Sequence, residues 1–362
     1  MSLLREIALE TSSSEDEIEV EYVRNLQNRK KKVYFQRTNR FLTWDENSFL
    51  DRFRVSKTVA RVLALKLEPF LLPPTTKNFA ITPIQQVLIA LEYYACGSFQ
   101  RCIGDTAGVH KSSVSRIIYR VSRAIANMRQ EWVSMPQNVQ EMEKTATRFY
   151  EISAFPKVVG AIDCTHIPIK SPGGEHAENY RNRKLFFSMN VQAICDADMY
   201  ITNIVARWPG SSHDSHIFNS SVIKGRLEDG EFAGYWLLGD KGYAIKPYLL
   251  TPLRDPVTDG EKLYNESQIR TRNVVERMFG CWKKRFPALS MKIRTDLRRV
   301  QPIIVATAVL HNICKKMRDP VPPARIVDDD SSDEEDPAYE VNRNDENNRR
   351  MLINNYFNRL HR

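Results

Sequence analysis

Four acids in the 362-residue chain follow or interrupt apolar runs: Asp163 in VVGAIDCTHIPI, Asp214 in PGSSHDSHIF, Asp240 closing WLLGD, and Glu276 in RNVVERMFGCWKKRF. A run that stops on a carboxylate predicts a strand ending at the carboxyl edge of a sheet, where open α/β sheets collect ligands. Asp240 is therefore expected at a rim. Asp163 lies among Val158, Val159, Ile162, Ile167 and Ile169, and a lone buried carboxylate is costly unless it is neutral, paired or bound to a cation. It needs a partner. Hard cations such as Mg²⁺ take carboxylate oxygens, and two metals roughly 4 Å apart can serve an in-line phosphoryl displacement. Taken singly, each acid also reads as a solvated surface carboxylate, and Asp214, like Ser212, as a helix cap.

The elements around these acids are legible in part. FFSMNVQAICDADMYITNIVARW predicts two strands joined at Asp196 to Asp198, an antiparallel hairpin following the Asp163 strand. The Asp240 strand is expected beside the Asp163 strand, which would bring the two acids together. In the Glu276 helix, Val275, Met278, Phe279, Trp282 and Phe286 recur at three- and four-residue steps and form one packed face. Glu276 borders that face, with Arg272, Gly280 and Lys283 on its side. The helix should end at Pro287 and expose Arg270, Arg272, Arg277, Lys283, Lys284 and Arg285. TPLRDPVTDGEKLYNESQIRTRN before it reads as a long connection. IIVATAVLHNICKKM is apolar nearly all round and predicts a buried helix, with His311 as a hydrogen-bonded core histidine.

From Trp44 to about Trp132 the signal is helical. Ser56 can cap one helix, and Thr82, with Pro83 and Gln85, has the pattern of a capping box. SFQRCIGDTAGVHKSSVSRIIYRVSRAI has the layout of a helix-turn-helix, with Ile103 and Ala107, then Val114, Ile117, Ile118, Val121 and Ile125, facing inward. Lys111, Ser113, Arg116, Arg120 and Arg123 are then outward candidates for DNA contact, alongside Tyr119. The other reading is a plain helical hairpin that braces the core. SPGGEHAENYRNRKLFFS brings Arg181, Arg183 and Lys184 into a loop able to touch DNA, or forms a solvated charge cluster. Lys283 and Lys284 extend the basic candidates onto the Glu276 helix.

The net charge is +9, yet residues 328 to 340 hold eight acids and no base, so the rest of the chain carries +17. A surplus of that size favours a polyanion, and nucleic acid is the economical partner. No apolar run approaches the roughly 20 residues of a membrane span, and MSLLREIALETSSSEDEIEV lacks the pattern of a signal peptide. An intracellular protein is expected. The six cysteines form no C-x-x-C pair and read as reduced, mostly buried small hydrophobes. His213 and His216 mimic half a zinc site but have no partner pair. Arg29 to Lys32 read as a nuclear-import signal, a phosphate-contacting arm or a solvated linker.

In order and context, GAIDCTHI, PGSSHDSHIF, LLGDKGY and NVVERMFGCWKKRF, with 35 residues between Asp240 and Glu276, resemble the PIF/Harbinger transposases and the nucleases derived from them, over about Phe41 to Met317. The resemblance implies a ribonuclease H-like core in which Asp163, Asp240 and Glu276 are the catalytic triad. It implies a divalent-metal role for Asp214 as well, with Mg²⁺ or Mn²⁺ as cofactor. It further implies DNA as substrate, a separate Myb-like protein as targeting partner, and a nuclear or also cytoplasmic location.

The expected fold class is thus α/β, a ribonuclease H-like mixed sheet with flanking helices, preceded by an all-helical domain containing the helix-turn-helix. Its divisions are a disordered charged segment 1–40, a helical domain 41–135, a linker 136–154, a nuclease core 155–318 and a disordered acidic tail 319–362 with a short helix near Met351 to Leu360. The expected activity is metal-dependent endonucleolytic cleavage. A domesticated DNA-binding or scaffold protein that keeps the acids without cleaving is the alternative. A metal-dependent phosphatase fits the carboxylates but not the basic surplus.

Overall fold

Five strands, β1 (Val158–Pro168), β2 (Ser188–Cys195), β3 (Ile201–Pro209), β4 (Trp236–Leu238) and β5 (Leu249–Leu250), form one sheet in the order β3-β2-β1-β4-β5. The computed structural model describes residues 21–22, 37–73, 75, 79–322 and 346–360. β1, β2 and β3 are antiparallel neighbours, whereas β4 runs parallel to β1 and β5 parallel to β4. The hairpin and the placing of the Asp240 strand beside the Asp163 strand are as expected. The β2–β3 turn closes where the Asp196 carboxylate accepts the Tyr200 N–H at 2.8 Å. At Gly160 a Cβ would stand 2.5 Å from Ile194 Cγ2 and 2.9 Å from Leu237 Cδ2. Only glycine lets side chains of both neighbouring strands close over β1 there.

Ten main helices surround this sheet among the described residues: α1 (Glu46–Phe53), α2 (Lys57–Leu71), α3 (Pro83–Cys96), α4 (Gln100–Ala107), α5 (Lys111–Asn127), α6 (Val139–Ser153), α7 (Asp214–Asn219), α8 (Val222–Glu228), α9 (Asp259–Arg285) and α10 (Leu297–Lys316). Ser56 and Thr82 cap α2 and α3 as their sequences predict, Thr82 in a capping box with Gln85. β1 residues alternate between two apolar layers. Ala161 and Ile167 pack with Val275, Met278 and Trp282 of α9 and the buried side of α10, while Val159 and Ile162 pack with Phe218, Ile223 and Leu227 of α7 and α8. Helices thus cover both faces of the sheet. Among the described residues no helix is long and apolar enough to cross a membrane.

α4 and α5 meet at Gly108, whose φ of +65° is left-handed and suits glycine. Ile103 and Ala107 of α4 and Val114, Ile117, Ile118, Val121 and Ile125 of α5 are all buried, as their spacing predicts. α5 lies against α10. Arg37–Thr76 and Ala80–Arg362 accordingly form one compact unit that includes helical segment and sheet alike, and of the other unit, Met1–Gln36 with Lys77–Phe79, only Glu21, Tyr22 and Phe79 are described.

Several expectations are corrected. Segment 136–154 is not a linker: Asn138 caps α6, which buries Met142, Ala146 and Phe149. The connection before Glu276 is largely helix, because Thr258 and Glu261 form a capping box that starts α9 at Asp259. In the tail 319–362 the short helix expected near Met351 to Leu360 is present and longer, with helical turns over 346–360 that seat Phe357 against Phe155 (5.6 Å) and Tyr264 (5.5 Å). Helices of this length owe most of their stability to tertiary packing of one face, which a charged stretch of sequence masks. Residues 1–20, 23–36 and 323–345, with the acidic run and Arg29 to Lys32, lie outside the described residues. Of the cysteines only Cys195 and Cys314 are buried, while Cys102 and Cys281 are exposed because they sit on outward helix faces.

His311 is a core histidine, donating from Nε2 to the Met199 carbonyl at 2.9 Å. Burial lowers its pKa from 6.5 to about 4. The neutral ring is therefore favoured by folding, so its contribution is present above pH 6.5 and is lost as pH falls toward 4, by about 3 kcal/mol in total. Urea unfolding between pH 7 and 4 should show this loss, and His311→Gln should flatten the profile by up to one proton; an equally steep profile in the variant would refute the assignment.

Candidate active site

β1 and β4 are parallel neighbours with Ala161 opposite Leu238, so Asp163, two residues on in the middle of β1, lies level with Asp240, two residues past the end of β4. Asp163 faces Ala193 of β2 across the ladder, a small residue that leaves room beside the carboxylate. Its Oδ1 accepts the Cys164 N–H at 2.7 Å. Asp240 stands two residues past the end of β4, in a turn where its Oδ1 accepts the Gly242 N–H at 3.0 Å. The D-K-G sequence makes that turn: a short side-chain acceptor followed two residues on by a glycine amide.

Asp214 arrives by a different route. At Gly210 a Cβ would stand 2.3 Å from Ser188 Oγ and 2.7 Å from the Tyr180 carbonyl, so glycine lets the turn after β3 lie directly on β2. The capping expectation fails, since the N-cap of α7 is His213 and Asp214 is the first helical residue. Its Oδ1 instead accepts from Asn190 Nδ2 at 2.8 Å, and the same amide nitrogen donates to the Ser212 carbonyl at 2.8 Å. A fully buried β2 residue thereby holds both the turn and the acid.

Glu276 sits at the border of the buried face of α9, half exposed, as its position predicts. Arg272, one turn earlier, donates through Nη2 to Glu276 Oε1 at 2.6 Å and through Nη1 to Asp163 Oδ2 at 3.1 Å. With only 12% of its side chain exposed, Arg272 is not the solvent-facing arginine expected from the helix pattern. Arg285 departs likewise, pairing with the buried Asp319 carboxylate at 3.0 Å. Neither could be told from an exposed arginine by spacing, because the partner acids are 109 and 34 residues away in sequence.

The four acids share one electrostatic neighbourhood. Burial first, and then the charges of Asp240 and Asp214, push the Asp163 carboxyl well above the usual carboxylate range, against the pull of Arg272. Burial alone would weaken the hold of Arg272 on its proton, but Asp163, Glu276 and Asp240 more than offset it. A cluster of hard oxygen donors with surplus negative charge suits a divalent cation of the Mg²⁺ class in its chemistry. Among the described residues, however, no three His, Cys, Asp or Glu side chains are grouped to hold one ion. The counter-charge lodged between Asp163 and Glu276 is the Arg272 guanidinium.

Of the basic candidates, Arg183, Lys184 and Lys283 gather around His166. Their charges, after burial, lower the His166 pKa to about 4, and His166 lies three residues beyond Asp163 on β1. Arg183 also reaches His213 Nδ1 at 2.8 Å. Arg181 is instead tied down, by Glu178 at 2.6 Å, by the Leu185 carbonyl at 3.0 Å and over the Phe187 ring at 4.5 Å. Lys284 is exposed near the end of α9. Lys111, Arg116, Arg120 and Arg123 are exposed on the outer face of α5, Ser113 is half-buried there, and none of them touches the four acids. His216 packs edge-on to Trp208 at 4.7 Å between ring centres.

Asn190 and His166 had no role in the sequence reading, and Arg272, placed there on the Glu276 side of the helix, was expected only as an exposed basic residue. The i,i+4 pair Arg272–Glu276 was the available signal, since that spacing puts both on one helix stripe. Arg272→Met should destabilise the fold by about 3–5 kcal/mol, as removing one member of a buried ion pair does. Combined with Asp163→Asn the loss should shrink, with a coupling of at least about 1 kcal/mol in denaturant unfolding; additive effects would show that the two do not interact.

Residues 162–312, which include all four acids, match the family model described as a DDE superfamily endonuclease. HARBI1 of Homo sapiens, whose name carries a provisional nuclease assignment, is 33% identical over 243 residues, covering 66% of this chain and 69% of its own length. The Xenopus laevis protein of the same name is 30% identical over 66% of this chain and 70% of its own. An Arabidopsis thaliana protein named ALP1-like is 28% identical over 301 residues, 76% of this chain and 72% of its own. No solved structure matches. With a shared acid-bearing segment and similarity over two thirds of the human relative, this chain belongs to the Harbinger transposase-derived nucleases, within the DDE endonuclease superfamily.

Proposed function

We propose that the protein is a divalent-metal-dependent DNA endonuclease with a ribonuclease H-like core. The observation that carries this reading is the meeting of Asp163, midway along β1, with Asp240, just past β4, and with Asp214, Glu276 being joined to them through Arg272. Asp163, Asp240 and Glu276 are the catalytic ligands in this reading, and Asp214, steadied by Asn190, assists. Bound Mg²⁺ or Mn²⁺ would activate the attacking hydroxyl and neutralise charge on the leaving oxygen. Arg272 balances Asp163 and Glu276 and holds the helix against β1. Arg183, Lys184 and Lys283 draw the phosphate backbone toward the acids, with Lys284 extending the same surface. Carboxylates suit this work because they bind hard cations without competing for the proton as a nucleophile would.

The outer face of α5 is the second DNA surface. Its support is a buried inner face that leaves Lys111, Arg116, Arg120 and Arg123 outward, with Ser113 near the start of the helix. A Myb-like targeting partner and a nuclear, also cytoplasmic, location follow from the family resemblance and from the basic run Arg29 to Lys32. The catalytically silent reading has one observation in its favour, the Arg272 guanidinium engaged by two of the proposed ligands.

Asp163→Asn, Asp240→Asn and Glu276→Gln should each abolish Mg²⁺- or Mn²⁺-dependent nicking of plasmid DNA while circular dichroism shows the fold intact. Nicking by the unaltered protein that survives all three changes would sink the assignment, and none by the unaltered protein, alone or with a Myb-like partner, would favour the silent reading. For the α5 surface, replacing Arg116, Arg120 and Arg123 by Ala should weaken DNA binding at every sequence tested. The slope of log affinity against log salt should also fall by about 0.9 per lost phosphate contact; an unchanged slope would leave α5 as a brace for α10.

A further inference from the structure

One side of α9 carries Tyr264, Gln268, Arg272 and Glu276 at four-residue steps. Each step advances about 6 Å along a helix, close to the roughly 4.8 Å between neighbouring strands. The stripe therefore meets β5, β4 and β1 one after another. Tyr264 donates its hydroxyl to the Thr251 carbonyl beyond β5 at 3.0 Å, and Arg272 reaches Asp163 of β1 at 3.1 Å. Between them Gln268, with no exposed surface, donates through Nε2 to the Gly239 carbonyl at 2.8 Å and to the Leu250 carbonyl at 3.3 Å. Two carbonyl acceptors determine which end of this amide is nitrogen.

The Gly239 carbonyl belongs to the peptide that leads into Asp240, and the Gly239 N–H is itself bonded to Leu250 at 3.1 Å. Whatever grips that peptide sets where the Asp240 turn begins. Gln268 and Glu276 are eight residues apart on one helix, a rigid spacer of about 12 Å. From these contacts we infer that Gln268 is a positioning residue that sets the placement of Asp240 relative to Glu276, and so the metal affinity and turnover of the site. The inference rests on the nuclease reading for its catalytic consequence, and on the contacts alone for its structural one.

The test compares the unaltered 362-residue chain with Gln268→Met, which keeps the volume and removes the donor. Tyr264→Phe is the control, removing one bond from the same stripe a turn earlier. Hydrogen exchange, Mn²⁺ affinity by calorimetry, DNA affinity and nicking rate are measured for each. Gln268→Met should speed exchange of the amides of Gly239, Gly242 and Tyr243 at least tenfold and weaken Mn²⁺ binding about tenfold. It should slow nicking 10- to 100-fold at saturating DNA, the scale of a misplacement near 1 Å, with DNA affinity within twofold. Tyr264→Phe should leave exchange at these three amides and Mn²⁺ affinity as they are. Unchanged exchange at the three amides overturns the inference, whether or not the protein is a nuclease. Faster exchange with unaltered Mn²⁺ affinity and nicking overturns it while the nuclease reading stands, and equal effects of both variants reduce Gln268 to a stability role. If the unaltered protein neither binds Mn²⁺ nor nicks, the nuclease reading falls, and local exchange alone decides for or against the grip of Gln268 on the Asp240 turn.

Discussion

Everything at the acid cluster depends on one guanidinium. Arg272 ties Asp163 of β1 to Glu276 of α9, and without it the desolvated Asp163 carboxylate would lose the cation that opposes the charges of Asp240 and Asp214. Like charges at short range in a medium of reduced dielectric repel by several kcal/mol. A chain that keeps such a cluster must either protonate it or furnish cations, and here the fold furnishes one from the very helix that brings in the last acid. The same contact is a mechanical joint, since it holds helix to sheet where no apolar side chain could reach.

The long helix α9 does this work because its faces are divided. Val275, Met278 and Trp282 lie in the core and fasten the helix to the sheet by apolar burial, while the polar stripe beside them meets β5, β4 and β1 in succession. Its first turns are held from outside as well, by Phe357 against Tyr264 and by Arg349, which donates to the Thr251 carbonyl at 3.4 Å. The C-terminal turns thus support the end of α9 farthest from Glu276. Rigidity in this helix is transmitted as position at the acids, which is what a constellation assembled from four distant segments requires.

The amino-terminal helices belong to the same body. α5 lies along α10, and Arg299 of α10 donates to Ser115 Oγ at 2.5 Å, so a polar clasp supplements the apolar seam. A basic outer surface on α5 is therefore carried rigidly by the unit that holds the acids. A duplex engaging both would meet two fixed cationic surfaces, which favours binding geometry over flexible search.

The order of the first four strands, the buried face of α9, the caps at Ser56 and Thr82, the inner face of the helix-turn-helix pattern and the core role of His311 were legible in sequence, whereas the two-residue β5 carried no signal of its own. The start of α9 was legible too, in Thr258 and Glu261, but was overlooked beneath a charged stretch. What sequence could not supply was the pairing of groups far apart along the chain: Arg272 with Asp163, Arg285 with Asp319, Asn190 with Asp214, Gln268 with the Gly239 carbonyl. A buried arginine and a solvated one have the same helical spacing, and an acid near a turn reads as a cap until the residue across the sheet is known. Local patterns determined which residues could form strands, helices and a carboxylate rim; only the closing of the chain in three dimensions decided which charges must neutralise one another, because electrostatic partnership depends on distance and burial, and sequence separation carries neither.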